Sequence, residues 1–160
     1  MILDKLKIDN RENLLEFLVL DSRFEYALKR TNFTKTPKGY PEANWEKFIS
    51  KNKKKFDPLK SEHLKMYVDY LLNFPSKKEV IENGDLFFVQ DPNTHKGPVL
   101  CRLYHCIRIT RNNLFHGGKF MNGPEPDLSR NKDLIENCIV VLNEILLLDK
   151  KVQSMFWELE

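Results

Sequence analysis

The segment Cys138 to Leu148 reads CIVVLNEILLL, apolar around most of a helical circumference, and it limits what this chain can fold into. A helix of that kind does not rest on a surface with one face in water; it is central in a bundle or buried at an interface. Its predicted extent is about 128 to 149. Around it, the three-and-four spacing of apolar residues predicts further helices. Residues 10 to 30 set Leu14, Phe17, Leu20, Phe24, Ala27 and Leu28 on one face, behind Asp9 or Asn10 as a cap. The loop TNFTKTPKGYP then leads to a second helix with Trp45, Phe48 and Ile49, where Pro41 is expected near the first turn, and this helix stops in KNKKKFDP. A third helix, from about 60 until Pro75, repeats Leu64, Tyr67, Leu71 and Phe74. A fourth is expected over about 98 to 116. Between the third and fourth, Asn83-Gly84 separates two short β-prone runs, the signal of a hairpin, so a small flap is expected there. The closing VQSMFWELE reads as a tail whose Met155, Phe156 and Trp157 need something to cover them. The expected class is all-α, with about five helices and one small hairpin.

A length of 160 residues suits one domain over 1–160 with a real core. With 41% hydrophobic and 31% charged residues, and no apolar run near the roughly 20 residues of a membrane span, no membrane partner is expected. The start, MILDKLKIDNRENLLEFL, lacks the basic, apolar and small-residue blocks of an export signal, so the cytoplasm is the expected location. Cys101, Cys106 and Cys138 have no CxxC spacing and read as small buried hydrophobes, not as disulfide or zinc ligands. The formal charge of +3 permits a polyanionic partner only if the cations cluster.

The fourth helix carries the chemistry. Val99, Leu100, Leu103, Cys106, Ile107, Thr110 and Leu114 share one sector and face the core. Arg102, His105, Ile109, Asn112 and His116 form a stripe largely opposite, flanked by Arg108 and Arg111. His116 precedes Gly117 and Gly118, which favour the left-handed backbone that ends a helix, so its ring is expected near the unpaired final carbonyls. Histidine moves protons near neutral pH, and the guanidinium fork stabilises phosphorane charge. Together they suit RNA cleavage by the ribose 2′-hydroxyl. Asn112, one turn before His116, can orient the ring or a phosphate oxygen. Arg111 is about 140° around the helix from His116 and has to bend across or meet a histidine of another subunit. An Arg-Asn pair whose Arg is followed by His after four to six intervening residues is expected by chance roughly 0.05 times in such a composition. A plain helix end remains the competing reading.

Arg111-Asn112-Asn113-Leu114-Phe115-His116 resembles the R-x-x-x-x-H signature of HEPN domains (higher eukaryotes and prokaryotes nucleotide-binding), with Asn112 at the frequent polar position after the arginine. The order of helices, with a late motif-bearing helix and an apolar helix behind it, is similar over nearly the whole chain. The resemblance implies an all-α, HEPN-like up-and-down bundle that forms a homodimer, with two motif helices around a shared cleft. It also implies a metal-independent endoribonuclease with no cofactor, of the kind used in toxin–antitoxin and antiviral defence, with RNA as substrate and an antitoxin or regulatory protein as a further partner. On this resemblance Arg111 and His116 are the catalytic pair and Asn112 supports them. HEPN toxins silenced by adenylylation carry a Tyr two residues after the His; Gly118 stands there, so that control is not expected. A non-catalytic HEPN module that binds RNA, nucleotide or protein is the alternative.

Other candidates carry less. Lys51, Lys53, Lys54 and Lys55, near Lys47 and Lys60 and interleaved with Trp45, Phe48 and Phe56, suit a phosphate backbone or a solvated helix end. His105 suits an RNA contact or a plain helix-surface position. His63 and His95 have no partners at metal-ligand spacing. The proposed site offers Arg111, Asn112 and His116 but no carboxylate, which argues against a magnesium-dependent reaction.

Overall fold

The computed structural model describes residues 11–36, 38–115 and 128–158, with side chains from 132 onward in the last stretch. Among these residues the chain is mostly helical: α1 (Arg11–Lys29), α2 (Trp45–Asn52), α3 (Glu62–Asn73), α4 (Val99–Phe115), α5 (Leu128–Leu146) and α6 (Lys150–Trp157). A two-stranded sheet, β1 (Lys78–Glu82) and β2 (Asp85–Val89), and a 3-10 turn at Pro92–Thr94 lie between α3 and α4.

α1 buries Phe17, Leu20, Phe24, Ala27 and Leu28 as its spacing predicts, and one charged residue, Asp21, joins them. The start of α2 differs from expectation. Asn44 caps the helix by accepting from the Lys47 N–H at 3.0 Å, while the Thr34–Ala43 bridge keeps the preceding chain extended. Pro41 therefore stays in the loop. Ser61 caps α3 in the same way, at 3.0 Å to the Leu64 N–H. Val68 is buried with Leu64 and Leu71, whereas Phe74, at the non-helical end of α3 after Asn73, stays exposed.

The hairpin forms where the sequence places it. Asn83 (φ 53°) and Gly84 (φ 90°) both adopt positive φ, which a two-residue hairpin loop needs, and Glu82 pairs with Asp85.

α5 is central. It packs against both α1 and α3, burying Leu134, Ile135, Cys138, Val141, Leu142, Ile145 and Leu146 within the chain. This is the central placement that its apolar circumference allows within a single chain. The tail is corrected: Asp149 caps a sixth helix through the Lys151 and Val152 N–H groups at 3.1 and 3.3 Å. Val152 and Phe156, one turn apart, are buried, and Arg23 of α1 donates to the Phe156 carbonyl at 3.1 Å. Trp157 stays exposed. The lysine run ties this corner together: Lys51 pairs with Asp149 at 3.1 Å, Lys55 donates to the Leu148 carbonyl at 3.1 Å, and Lys60 meets Glu144 at 2.8 Å. Among the described residues no helix is long and apolar enough to cross a membrane.

Candidate functional site

The face of α4 made of Leu100, Leu103, Cys106, Ile107 and Thr110 is buried, and Thr110 anchors it by donating to the Cys106 carbonyl and meeting the Ser76 hydroxyl, both at 3.0 Å. The opposite stripe is less open than expected. Arg102 Nε donates to the Thr94 carbonyl at 3.0 Å, Ile109 is buried, and the 3-10 turn and β1 lie against this side. Covered by these elements, its first half serves packing. The polar groups left accessible belong to the second half. His105 tilts against Tyr104, with ring centroids 5.5 Å apart, and lines a cavity of about 480 Å3 with Lys78, Arg108, Asn112 and Asn113. Asn113 also donates to the Lys77 carbonyl at 2.9 Å, fixing the base of the hairpin to α4.

Arg111 is the most constrained side chain of the last turn. Its Nε donates to Asp21 Oδ2 at 3.2 Å, one terminal nitrogen lies 3.6 Å from Glu25 Oε1, and the other donates to Asn112 Oδ1 at 3.3 Å. The guanidinium carbon sits 4.7 Å from the Phe115 ring centroid, a cation–π contact. Arg111 and Asn112 are thus brought together. His116, Gly117 and Gly118 lie outside the described residues, so of the expected pair only Arg111 is described, on a helix described as far as Phe115.

The expectation of a site without carboxylates is overturned, because α1 delivers Asp21 and Glu25 from 90 positions earlier in the chain for the Asp21 contact. Sequence reading missed both. The signal was a charged residue, Asp21, inside the apolar stripe of α1, which requires a partner once buried. Burial is the largest influence on Asp21 and raises its pKa; Glu25 adds to this, and the charge and hydrogen bond of Arg111 offset it only in part. The Cys106 thiol is pushed up to about 12, chiefly by burial, which keeps it protonated and unreactive. Among the described residues no group of three or more His, Cys, Asp or Glu is placed to hold a metal ion.

A second cavity, of about 280 Å3, adjoins the first and is lined by Asp21, Glu25, Trp45, Tyr104, Arg108 and Arg111 among others. Arg108 and Asn112 line both cavities. Arg108 holds Tyr104 Oη at 3.4 Å and reaches Glu46 at 3.7 Å. The last two turns of α4 therefore present two guanidinium groups and an amide to accessible space on either side. The chain matches no protein-family model, no curated protein and no solved structure.

Proposed function

We propose that this chain is a HEPN-type endoribonuclease that cleaves RNA without a metal, in a cleft completed by a second copy of itself. The observation that carries the reading is the placement of Arg111 and Asn112: they sit together on the last turn of α4, lining a cavity instead of filling the core. The R-x-x-x-x-H resemblance supplies the rest, assigning His116 the proton transfer and Arg111 the phosphate charge.

In this mechanism a base removes the proton of the ribose 2′-hydroxyl and the 2′-oxygen attacks the adjacent phosphorus. The bond from phosphorus to the 5′-oxygen breaks and that oxygen takes a proton. His116 serves as acid or base, and Asn112 orients it or a phosphate oxygen. The products carry a 2′,3′-cyclic phosphate and a 5′-hydroxyl. Asp21 and Glu25 do not turn the site into a magnesium centre on this reading, because Arg111 already occupies them. The setting that goes with the activity is a toxin–antitoxin or antiviral system in the cytoplasm, with an antitoxin or regulatory protein as the other partner.

The same two carboxylates favour a second reading. They neutralise Arg111, and a guanidinium so engaged suits a HEPN module that docks RNA, nucleotide or protein without cutting. Incubation of purified protein with total RNA, beside an Arg111→Ala/His116→Ala double variant, separates the two. Cutting by the wild type alone supports the nuclease; RNA binding without cutting supports the docking module.

A further inference from the structure

The cavity of about 280 Å3 beside Arg111 has a division of labour in its walls. Its floor is apolar, with Ile49, Ile107 and Ile145 all buried. One wall is the Trp45–Tyr104 pair, whose rings lie within 26° of parallel with centroids 6.0 Å apart. Trp45 is held in place from two directions: its indole N–H reaches Glu25 Oε1 at 3.4 Å, and its ring packs against Phe24 at 4.7 Å. The rim carries Arg111, Arg108 and Lys35 together with the carboxylates of Asp21, Glu25 and Glu42, and Asp21 and Glu25 engage Arg111, which leaves Arg108 and Lys35 as its accessible cations. These two share one exposed carboxylate, Glu46, at 3.7 Å from Arg108 and 3.4 Å from Lys35.

Each part excludes a class of ligand. A bare anion has no use for the dry floor and aromatic wall, and an apolar ligand has no use for the rim cations. A flat heteroaromatic ring joined to a phosphate uses all of them, since any nucleobase presents a face that stacks on an aromatic side chain. Small-molecule pockets span roughly 300–1,000 Å3. This one falls just below, which leaves room for one nucleotide unit. The Glu25 carboxylate at the mouth is suited to accept a ribose hydroxyl.

We infer that this cavity is the base-binding subsite for one nucleotide of the RNA substrate, with the base against Trp45 and Tyr104 and its phosphate at Arg108 and Lys35, where it displaces their exposed partner Glu46. Trp45 and Tyr104 then determine which nucleotide lies beside the cut. Glu46 competes with the phosphate for Arg108. The inference rests on the RNA-cleaving reading above, but its test does not require cleavage.

The chain has two tryptophans, so Trp157→Phe, at an exposed position, leaves Trp45 as the sole tryptophan, whose emission is read with excitation beyond the tyrosine band. This variant is titrated with a short 2′-O-methyl RNA, which lacks the nucleophile, and with the four ribonucleoside 3′-monophosphates. Saturable quenching by the RNA is expected, with weaker quenching by monophosphates. Tyr104→Leu is expected to weaken RNA binding by about fivefold or more, the low end of one base–aromatic stack. Glu46→Gln, at an exposed residue on the helix surface, is expected to tighten it, and this arm stands even if Tyr104→Leu fails to fold. Absence of saturable quenching by RNA overturns the subsite whether or not the protein cuts RNA. Quenching by monophosphates alone also overturns it and assigns the cavity to a free nucleotide. Quenching by RNA in a protein that never cuts supports the subsite and removes the nuclease.

Discussion

Asp21 and Asp149 are buried almost equally, at 7% and 8% exposure, and each faces a cation, yet their surroundings treat the negative charge in opposite ways. At Asp149 burial opposes ionisation, but the hydrogen bonds from Lys51, Val152 and Lys151 outweigh it, and the pKa lies below the ordinary 3.8. At Asp21 burial and the neighbouring Glu25 prevail over Arg111, and the pKa lies above 3.8. Depth and donors make the difference together: the Asp21 carboxyl lies deeper among protein atoms and beside a second carboxylate, whereas Asp149 gains the Lys51 ammonium and two backbone N–H donors from the helix it caps. Asp149 is therefore a residue whose charge the fold uses for its own closure. Asp21 and Glu25 crowd two carboxylates around one guanidinium at the wall of a cavity, where a perturbed carboxyl is a candidate for function.

The contrast is broken most severely at Arg111 and His116. Arg111→Ala and His116→Ala are each expected to lower RNA cleavage by about a hundredfold or more, the usual scale for losing a proton-transfer or charge-stabilising group. The fold should survive. A collapse of the helical circular dichroism in either variant would instead make that residue structural. Asn112→Ala is expected to be milder, with cleavage reduced by less than about tenfold in a side-by-side rate assay.

Asp149→Ala has the opposite profile. It removes a helix cap and the Lys51 contact, a loss of about 1–2 kcal/mol that should lower Tm by several degrees while leaving cleavage per folded molecule unchanged. Its pH dependence has a definite sign. Because the folded pKa is depressed, the stabilisation is fully present above 3.8 and is lost as pH falls through the folded value. Thermal melts between about pH 5 and pH 2 should show the gap between wild type and Asp149→Ala closing toward acid.

Asp21 should give the smallest effect and the reverse one. With its folded pKa raised, ionised Asp21 is unfavourable to the fold at neutral pH, and the penalty is relieved as pH falls. Asp21→Asn is thus expected to hold or slightly raise Tm near neutrality and to change nothing at strongly acidic pH. A marked loss of Tm at neutral pH would show that the Arg111 pair is a structural bridge.

Much of this was legible in advance. The apolar spacing located α1, α3 and α5, because burial of a helical face is a local pattern, and Asn83-Gly84 located the hairpin, because two successive positive φ angles admit few residues. α6 was missed although Asp149 followed by Val152 and Phe156 one turn apart is a cap-and-stripe signal; the exposed Trp157 beside them made the segment look like an uncovered tail. The Arg111-Asn112 pair could be found because it is contiguous. Its carboxylate partners could not be placed, since pairing α4 with Asp21 and Glu25 depends on how α1 packs, a long-range fact with no local mark beyond a charge on an apolar face. The role of the lysine run was hidden for the same reason: Lys51, Lys55 and Lys60 meet partners some 84 to 98 positions away.

The chemistry proposed for Arg111 and His116 is tested most directly by one cleavage reaction. Purified protein is incubated in excess EDTA with an RNA it cuts and with the same RNA carrying a single 2′-deoxy substitution on the 5′ side of the cut. The expected result is undiminished cutting of the all-ribose RNA, 2′,3′-cyclic phosphate and 5′-hydroxyl ends, and no cutting of the deoxy RNA at that position. Loss of activity in EDTA with rescue by magnesium, or equal cleavage of the deoxy substrate, would contradict it.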